Sequence, residues 1–214
     1  LHVRSRRQRQ MCIRDSNYDI PNMCDYYTHI KGNGEDKVTL MVYMVGSDLE
    51  SDGGAASEDI AEMTAANADN INITLQTGGA AAWENASISD GKTERHIIKN
   101  GELQNVENLG EAQMTSPNTL TDFIKWSASN YPADRYELVL WNHGGGTALG
   151  FGYDEMYPDD MLSLSQIGNA LSDSGIKFDI VGFDACLMGT IETAYMLEPY
   201  ADYLVASELS LIHI

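Results

Sequence analysis

Leu138-Val-Leu-Trp-Asn-His143-Gly-Gly-Gly146 and Asp179-Ile-Val-Gly-Phe-Asp-Ala-Cys186-Leu-Met-Gly189 decide the reading of this chain. Each is an apolar run that ends in a reactive side chain. The first delivers a histidine into a glycine turn, and the second a cysteine into the expected start of a helix. Short apolar runs are what strands buried on both faces of a parallel sheet look like. In such sheets, ligands and chemistry collect at the carboxyl ends of the strands. A His and a Cys at two such ends can meet as base and nucleophile, however far apart they are in sequence.

Working outward, Val38-Thr-Leu-Met-Val-Tyr-Met-Val45 is a further near-continuous apolar run and reads as a buried strand. Residues 46–54 read as a polar loop with Ser47, Asp48, Glu50 and Asp52, followed by a helix over 56–66 with Ile60 and Met63 inward. A second strand spans 71–77 and stops at Gly78-Gly79. Residues 86–106 alternate, and Asp90-Gly91 marks a hairpin turn. A helix is expected over 119–129, with Ser116 as N-cap, Pro117 in the first turn and Leu120, Phe123, Ile124 and Ser127 at helical spacing. Strands over 136–141, 180–183 and 203–206 alternate with helices over 164–172, closed by Gly175, and 190–197. A Gly- and Asp-rich loop fills 147–162. Alternating strand and helix predicts a three-layer α/β domain with a mainly parallel sheet.

The ends differ from the rest. Residues 1–16 hold five arginines and carry a net +4, and none recurs before Arg95. They and the tail 209–214 read as foreign read-through, leaving 17–37 as a lead-in and 38–208 as the domain, incomplete at its carboxyl end. The formal charge is −19, so the remainder without residues 1–16 carries −23. That argues against nucleic acid and against anionic lipid surfaces, and it suits cationic substrates. No apolar run has the length of a membrane span. Of three cysteines, Cys12 and Cys24 lie in the start and lead-in, too few for a disulfide framework and without zinc spacing.

A thiol is a weak nucleophile until it ionises, and an imidazole or a helix N-terminus stabilises the thiolate. On this reading Cys186 has the second, because a helix is expected to start within a few residues of it. Gly144 lets the backbone pass a reacting carbonyl, so the N–H groups of Gly144 and Cys186 would form an oxyanion hole. Blander readings stand beside this one. A strand-end Cys can be a small buried hydrophobe, a His before glycines can be a hydrogen-bonded turn residue, and Gly144-Gly-Gly146 could approach phosphate.

The chain resembles the clostripain family of cysteine endopeptidases, which belong with caspases, legumain and gingipains. The likeness includes Thr39-Leu-Met-Val-Tyr-Met-Val-Gly-Ser-Asp-Leu-Glu50, Leu75-Gln-Thr-Gly-Gly79 with Trp83, Ser116-Pro117, Tyr131-Pro-Ala-Asp-Arg-Tyr136, the His143 and Cys186 segments, and Val205-Ala-Ser-Glu208. The resemblance implies a caspase-like, Rossmann-like sandwich, with His143 as catalytic histidine and Cys186 as nucleophile. It implies cleavage of protein or peptide substrates after Arg or Lys. Asp184, two positions before Cys186, is where the family places its specificity aspartate, and strand alternation points both side chains to one side. An alternative role for Asp184 is capping the next helix. Ser207 would line the pocket wall.

The resemblance also implies secretion or surface attachment in a bacterium. No cofactor is required for the chemistry. Asp154, Glu155, Asp159 and Asp160 are candidates for a structural calcium ion, which prefers several oxygen ligands, although a solvated acidic loop has the same composition. Relatives process themselves in the loop between His and Cys. Here that interval offers only Lys177, just before the Cys strand, so no self-cleavage is expected within 147–162. The alternative to an enzyme is a catalytically inactive domain of the same fold that binds basic peptides. A nucleotide-binding α/β domain would rest on the glycines alone.

Overall fold

The computed structural model describes residues 35–66 and 70–210. The segment 1–16, Cys24 and nearly all of the 17–37 lead-in lie outside the described residues, as does 211–214 of the tail. The described strands are β1 (Val38–Val45), β2 (Ile71–Gly78), β3 (Thr93–Lys99), β4 (Glu102–Gly110), β5 (Arg135–Trp141), β6 (Phe178–Asp184) and β7 (Ala201–Val205). The helices are α1 (Ser47–Ser51), α2 (Ala55–Ala65), α3 (Pro117–Asn130), α4 (Gly146–Leu149), α5 (Leu164–Ser174) and α6 (Ile191–Leu197). All seven strands form one sheet in the order β4-β3-β2-β1-β5-β6-β7. β2, β1, β5, β6 and β7 run parallel, and the β3–β4 hairpin is added antiparallel to β2.

β1 is central and its alternating residues serve two cores, which is why its sequence is apolar throughout. Met41, Tyr43 and Val45 pack with Leu138, Leu140, Val181 and Phe183 beneath Phe123 and Ile124 of α3 and Ile167 and Leu171 of α5. Val42 and Met44 face the other way, onto Ile73, Leu75, Trp83 and Trp141 beneath Ala56 and Ile60 of α2. The result is the three-layer, caspase-like α/β arrangement expected from the sequence. α5 opens on a capping box between Ser163 and Gln166 and closes on Gly175 in the left-handed region, φ 71°. Ser116 occupies the N-cap of α3 with Pro117 at its start, but its side chain makes no capping bond.

Three local expectations change. The hairpin turns at Asn100-Gly101 (φ 55° and 75°), not at Asp90-Gly91. Two successive left-handed residues are the geometry of a two-residue hairpin loop. The polar stretch after β1 contains α1, and Glu50 in it is fully buried, accepting from Ser57 and from the Glu84 amide. The stretch 147–162 contains α4, and Phe151 and Leu162 within it are fully buried and bridged to each other. Among the described residues, no helix is long and apolar enough to cross a membrane.

The sheet also buries charge. Arg95 is 4% exposed and donates to Gln76, Glu107 and Asp122 while lying 5.0 Å from the Trp126 ring centroid. Pairing and stacking offset the desolvation that a lone buried guanidinium would suffer. On the other face His96 is fully buried, 3.0 Å from Thr77 Oγ1, with no partner for Nδ1. Burial holds its pKa down at about 4, against the opposing charge of Glu94. Between the ordinary histidine value near ~6.5 and that value, the unfolded chain binds a proton that the folded chain refuses. Stability therefore falls as pH falls through this window, by roughly 3 kcal/mol in all. Urea midpoints taken from pH 7 to pH 4 should drop less in His96→Gln than in the wild type. An equal drop in both would remove His96 from the acid sensitivity.

Candidate active site

The site sits where β1, β5 and β6 end. Trp141 and Asp184 are register partners in the parallel pair β5–β6. The Asn142 amide still donates to the Asp184 carbonyl at 3.2 Å, so the two chains stay together one step further. His143 and Cys186 each lie two residues beyond that last pair, and the register places them opposite one another. Gly144 shows how close the backbones come. A Cβ at Gly144 would lie 2.0 Å from the Cys186 carbonyl oxygen, a separation only glycine avoids.

Several backbone bonds hold the histidine. Gly152 N–H donates to the His143 carbonyl at 3.0 Å, and Gly145 N–H to the Gly150 carbonyl at 2.8 Å. The His143 ring, 28% exposed, has Nε2 at 2.8 Å from Asp48 Oδ1 at the start of α1. Asp48 is the functional candidate that sequence reasoning missed. Partial burial pushes its pKa up, but the bonds from His143 and Ser47, the histidine's charge and its own amide outweigh this and leave it below the ordinary carboxylate value.

Cys186 is partly buried in a turn, and its Sγ lies 3.8 Å from Ser210 Oγ. Leu187 after it takes φ 60°, which a non-glycine residue adopts only when its surroundings impose it. Leu187 N–H donates to the Leu209 carbonyl at 3.2 Å and Gly189 N–H to the Ser207 carbonyl at 2.8 Å, so the segment after β7 braces the turn. The helix forms where the sequence placed it, five residues beyond Cys186. α6 begins at Ile191, with Thr190 as its N-cap accepting from Thr193. The field of a helix terminus falls off within the first turn, so α6 is not the feature that would activate Cys186.

Asp184 ends β6 with an exposed side chain. Phe183 and Ala185 point into the core under α3 and α5, leaving Asp184 and Cys186 on the other parity of the chain. The Asp184 carboxyl is pushed above its ordinary value by the protein around it and then by the charge of Asp59. Asp59 is held by the Trp141 indole, Nε1 to Oδ2 2.6 Å. Ser207 lies past β7 beside the Cys186 turn, its hydroxyl bonded to Leu209.

Three of the four acids singled out in 147–162 accept hydrogen bonds from the protein. Asp154 is 1% exposed and accepts from the amides of Met114 (2.8 Å) and Met156 (2.9 Å). Glu155 accepts from the Ala81 amide and Asp160 from Gln113, while Asp159 is exposed. They tie this segment to the loops after β2 and β4. Among the described residues no group of three or more His, Cys, Asp or Glu is placed to hold a metal ion.

A family model described as the clostripain family matches residues 42–211. The chain belongs to the clostripain family. Clostripain of Hathewaya histolytica is 32% identical over 212 residues, covering 82% of this chain and 39% of that protein. The chain thus spans about two fifths of the length of that curated relative. The fold is also that of solved family members. A secreted C11 cysteine protease from Bacteroides thetaiotaomicron, in complex with an irreversible peptide inhibitor, superposes with a TM-score of 0.64 at 23% identity, over 78% of this chain and 48% of that one. An inactive zymogen of a C11 protease from Parabacteroides distasonis gives 0.61 at 24% identity, over 82% and 49%.

Proposed function

We propose that this chain carries the catalytic centre of a cysteine endopeptidase that cuts after Arg or Lys. The observation that carries the reading is the placement of His143 and Cys186 opposite one another at the ends of adjacent parallel strands, with the Gly144 backbone against Cys186. Membership of the clostripain family supports it. The Cys186 thiolate attacks the scissile carbonyl carbon, a C–S bond forms, and the charge moves onto oxygen. The N–H groups of Gly144 and Cys186 receive that oxyanion. The C–N bond then breaks as His143 gives its proton to the leaving amine. Water, losing a proton to His143, attacks the thioester and releases the acid and the thiolate. A thiolate needs no metal to be nucleophilic, so no cofactor is assigned to the chemistry.

Asp184 is assigned to the P1 pocket, where a carboxylate pairs with a guanidinium or ammonium group, with Ser207 on the pocket wall. A net charge of −19 suits basic peptides. Secretion is proposed alongside, since the Bacteroides thetaiotaomicron protease of this fold is described as secreted.

The test is a fluorogenic peptide panel that differs only at P1: Arg, Lys, Asp and Leu. Turnover should be confined to Arg and Lys, and Cys186→Ala should lower it by about 10³-fold or more, as loss of a nucleophile does. No turnover at any P1 by folded protein, with Cys186 alkylating at an ordinary rate, would favour a domain that binds basic peptides without cutting them.

A further inference from the structure

The strand order reverses between β1 and β5. From β1 the chain goes outward to β2, and from β5 it goes outward the other way to β6. The crevice at such a reversal is where α/β sheets place ligands and the groups that act on them. His143 comes from one side of this crevice and Asp48 from the other.

The placement of Asp48 is built, not incidental. Ser47 before it is fully buried and takes φ 52°, a conformation that costs a non-glycine residue roughly 1–3 kcal/mol and persists only when its surroundings impose it. Asn142, the residue before His143, imposes it. Its amide nitrogen donates to the Val45 carbonyl and to Ser47 Oγ (2.8 Å), and its Oδ1 accepts from the Tyr153 amide. The residue before the histidine and the residue before the aspartate are therefore locked together. Two further acids follow β1 within a few residues. Glu50 is turned into the protein onto Ser57 and Glu84, and Asp52 follows the last residue of α1.

We propose that Asp48 is a positioning residue for His143: it holds Nε2 and so leaves Nδ1 as the nitrogen that serves Cys186. The inference rests on the cysteine peptidase reading above. With Nε2–H given to Asp48, the neutral ring carries its lone pair at Nδ1, the tautomer that a base toward Cys186 needs. When the ring is protonated, the carboxylate stabilises the imidazolium, and the imidazolium in turn stabilises the thiolate. The charged groups this assigns to His143 are Asp48, from the segment after β1, and Cys186, from the segment after β6.

The test is the pH dependence of iodoacetamide alkylation at Cys186, followed on its own peptide by mass spectrometry. Wild type, Asp48→Asn, Asp48→Ala and His143→Ala are compared, each shown by thermal melting to be folded. Asp48→Asn keeps the size of the side chain and removes only its charge. In Asp48→Asn the alkylation profile should move to higher pH, and in His143→Ala it should move further. On an Arg peptide, Asp48→Asn should lower kcat about 10-fold or more with KM unchanged, the sign of a group that matters in the transition state only. A wild-type profile in Asp48→Asn and Asp48→Ala, with a shifted profile in His143→Ala, overturns the role of Asp48 and leaves the peptidase reading standing. A wild-type profile in His143→Ala overturns both.

Discussion

Gly144→Ala is expected to unfold the active-site corner and to abolish turnover together. The added methyl would lie 2.0 Å from the Cys186 carbonyl oxygen, 2.9 Å from Met188 Cγ and 3.0 Å from the Cys186 carbonyl carbon. A side-chain clash can be relieved by a rotamer change, but two of these atoms are backbone. They belong to a turn already held through Leu187 and Gly189 to the segment after β7. Relief therefore requires the ends of β5 and β6 to part. Overpacking of this kind costs roughly 3 kcal/mol or more. For a chain of this size that is a fall of about 6–12 °C in Tm. Turnover should suffer more than stability, because parting the strands separates His143 from Cys186 and moves the Gly144 amide. Misplacement by about 1 Å alone costs on the order of 10²-fold. Thermal melting and single-turnover kinetics on the same preparation check both. A variant with wild-type Tm and wild-type acylation would mean that the two strand ends are free to move apart.

That corner shows what the sequence could and could not say. Apolar runs ending in His143 and Cys186 identified two strand ends, because burial on both faces leaves an unbroken hydrophobic signature. Their adjacency follows from strand order, which no local pattern contains. Asp48 was overlooked for the same reason. It is one of several acids in a polar stretch, and nothing in its spacing separates it from Glu50, which is fully buried and ties Ser57 to Glu84. Only the pairing of β1 with β5 brings Asp48 to His143. α1 has five residues, too few for a helical period to register. The hairpin error was of another kind. Asn100-Gly101 is also a turn dipeptide, and the reading that rested on Asp90-Gly91 did not take it up. The Asp90 side chain instead accepts from the Trp83 amide inside the loop that covers the second core. Within the acidic run 154–160, Asp154 and Glu155 accept backbone N–H groups, a use that looks the same in sequence as an acid in water.

Asp184→Asn is expected to remove the preference for a basic P1 without removing the chemistry. The variant keeps the shape at the end of β6 and loses only the charge. With a P1 side chain seated against Asp184, losing the carboxylate leaves the bound cation without its partner, so kcat/KM on the Arg peptide should fall roughly 10²-fold. Lys should lose less than Arg, because an ammonium cannot make the paired bonds of a guanidinium. Leu at P1 should be unaffected or improved. An equal loss on all four peptides would make Asp184 a structural residue instead. The pH dependence supplies a second arm. Desolvation by the protein around it, and then the nearby charge of Asp59, push the Asp184 pKa upward. Only the ionised carboxylate pairs with a cation, so KM for Arg should rise as pH falls through that raised pKa. Asp59 is fixed in place by the Trp141 indole, so Asp59→Asn should bring the Asp184 pKa down and carry the Arg preference to lower pH. An Asp59→Asn profile that coincides with the wild type would detach Asp59 from the pocket and leave desolvation by the surrounding protein as the cause of the shift.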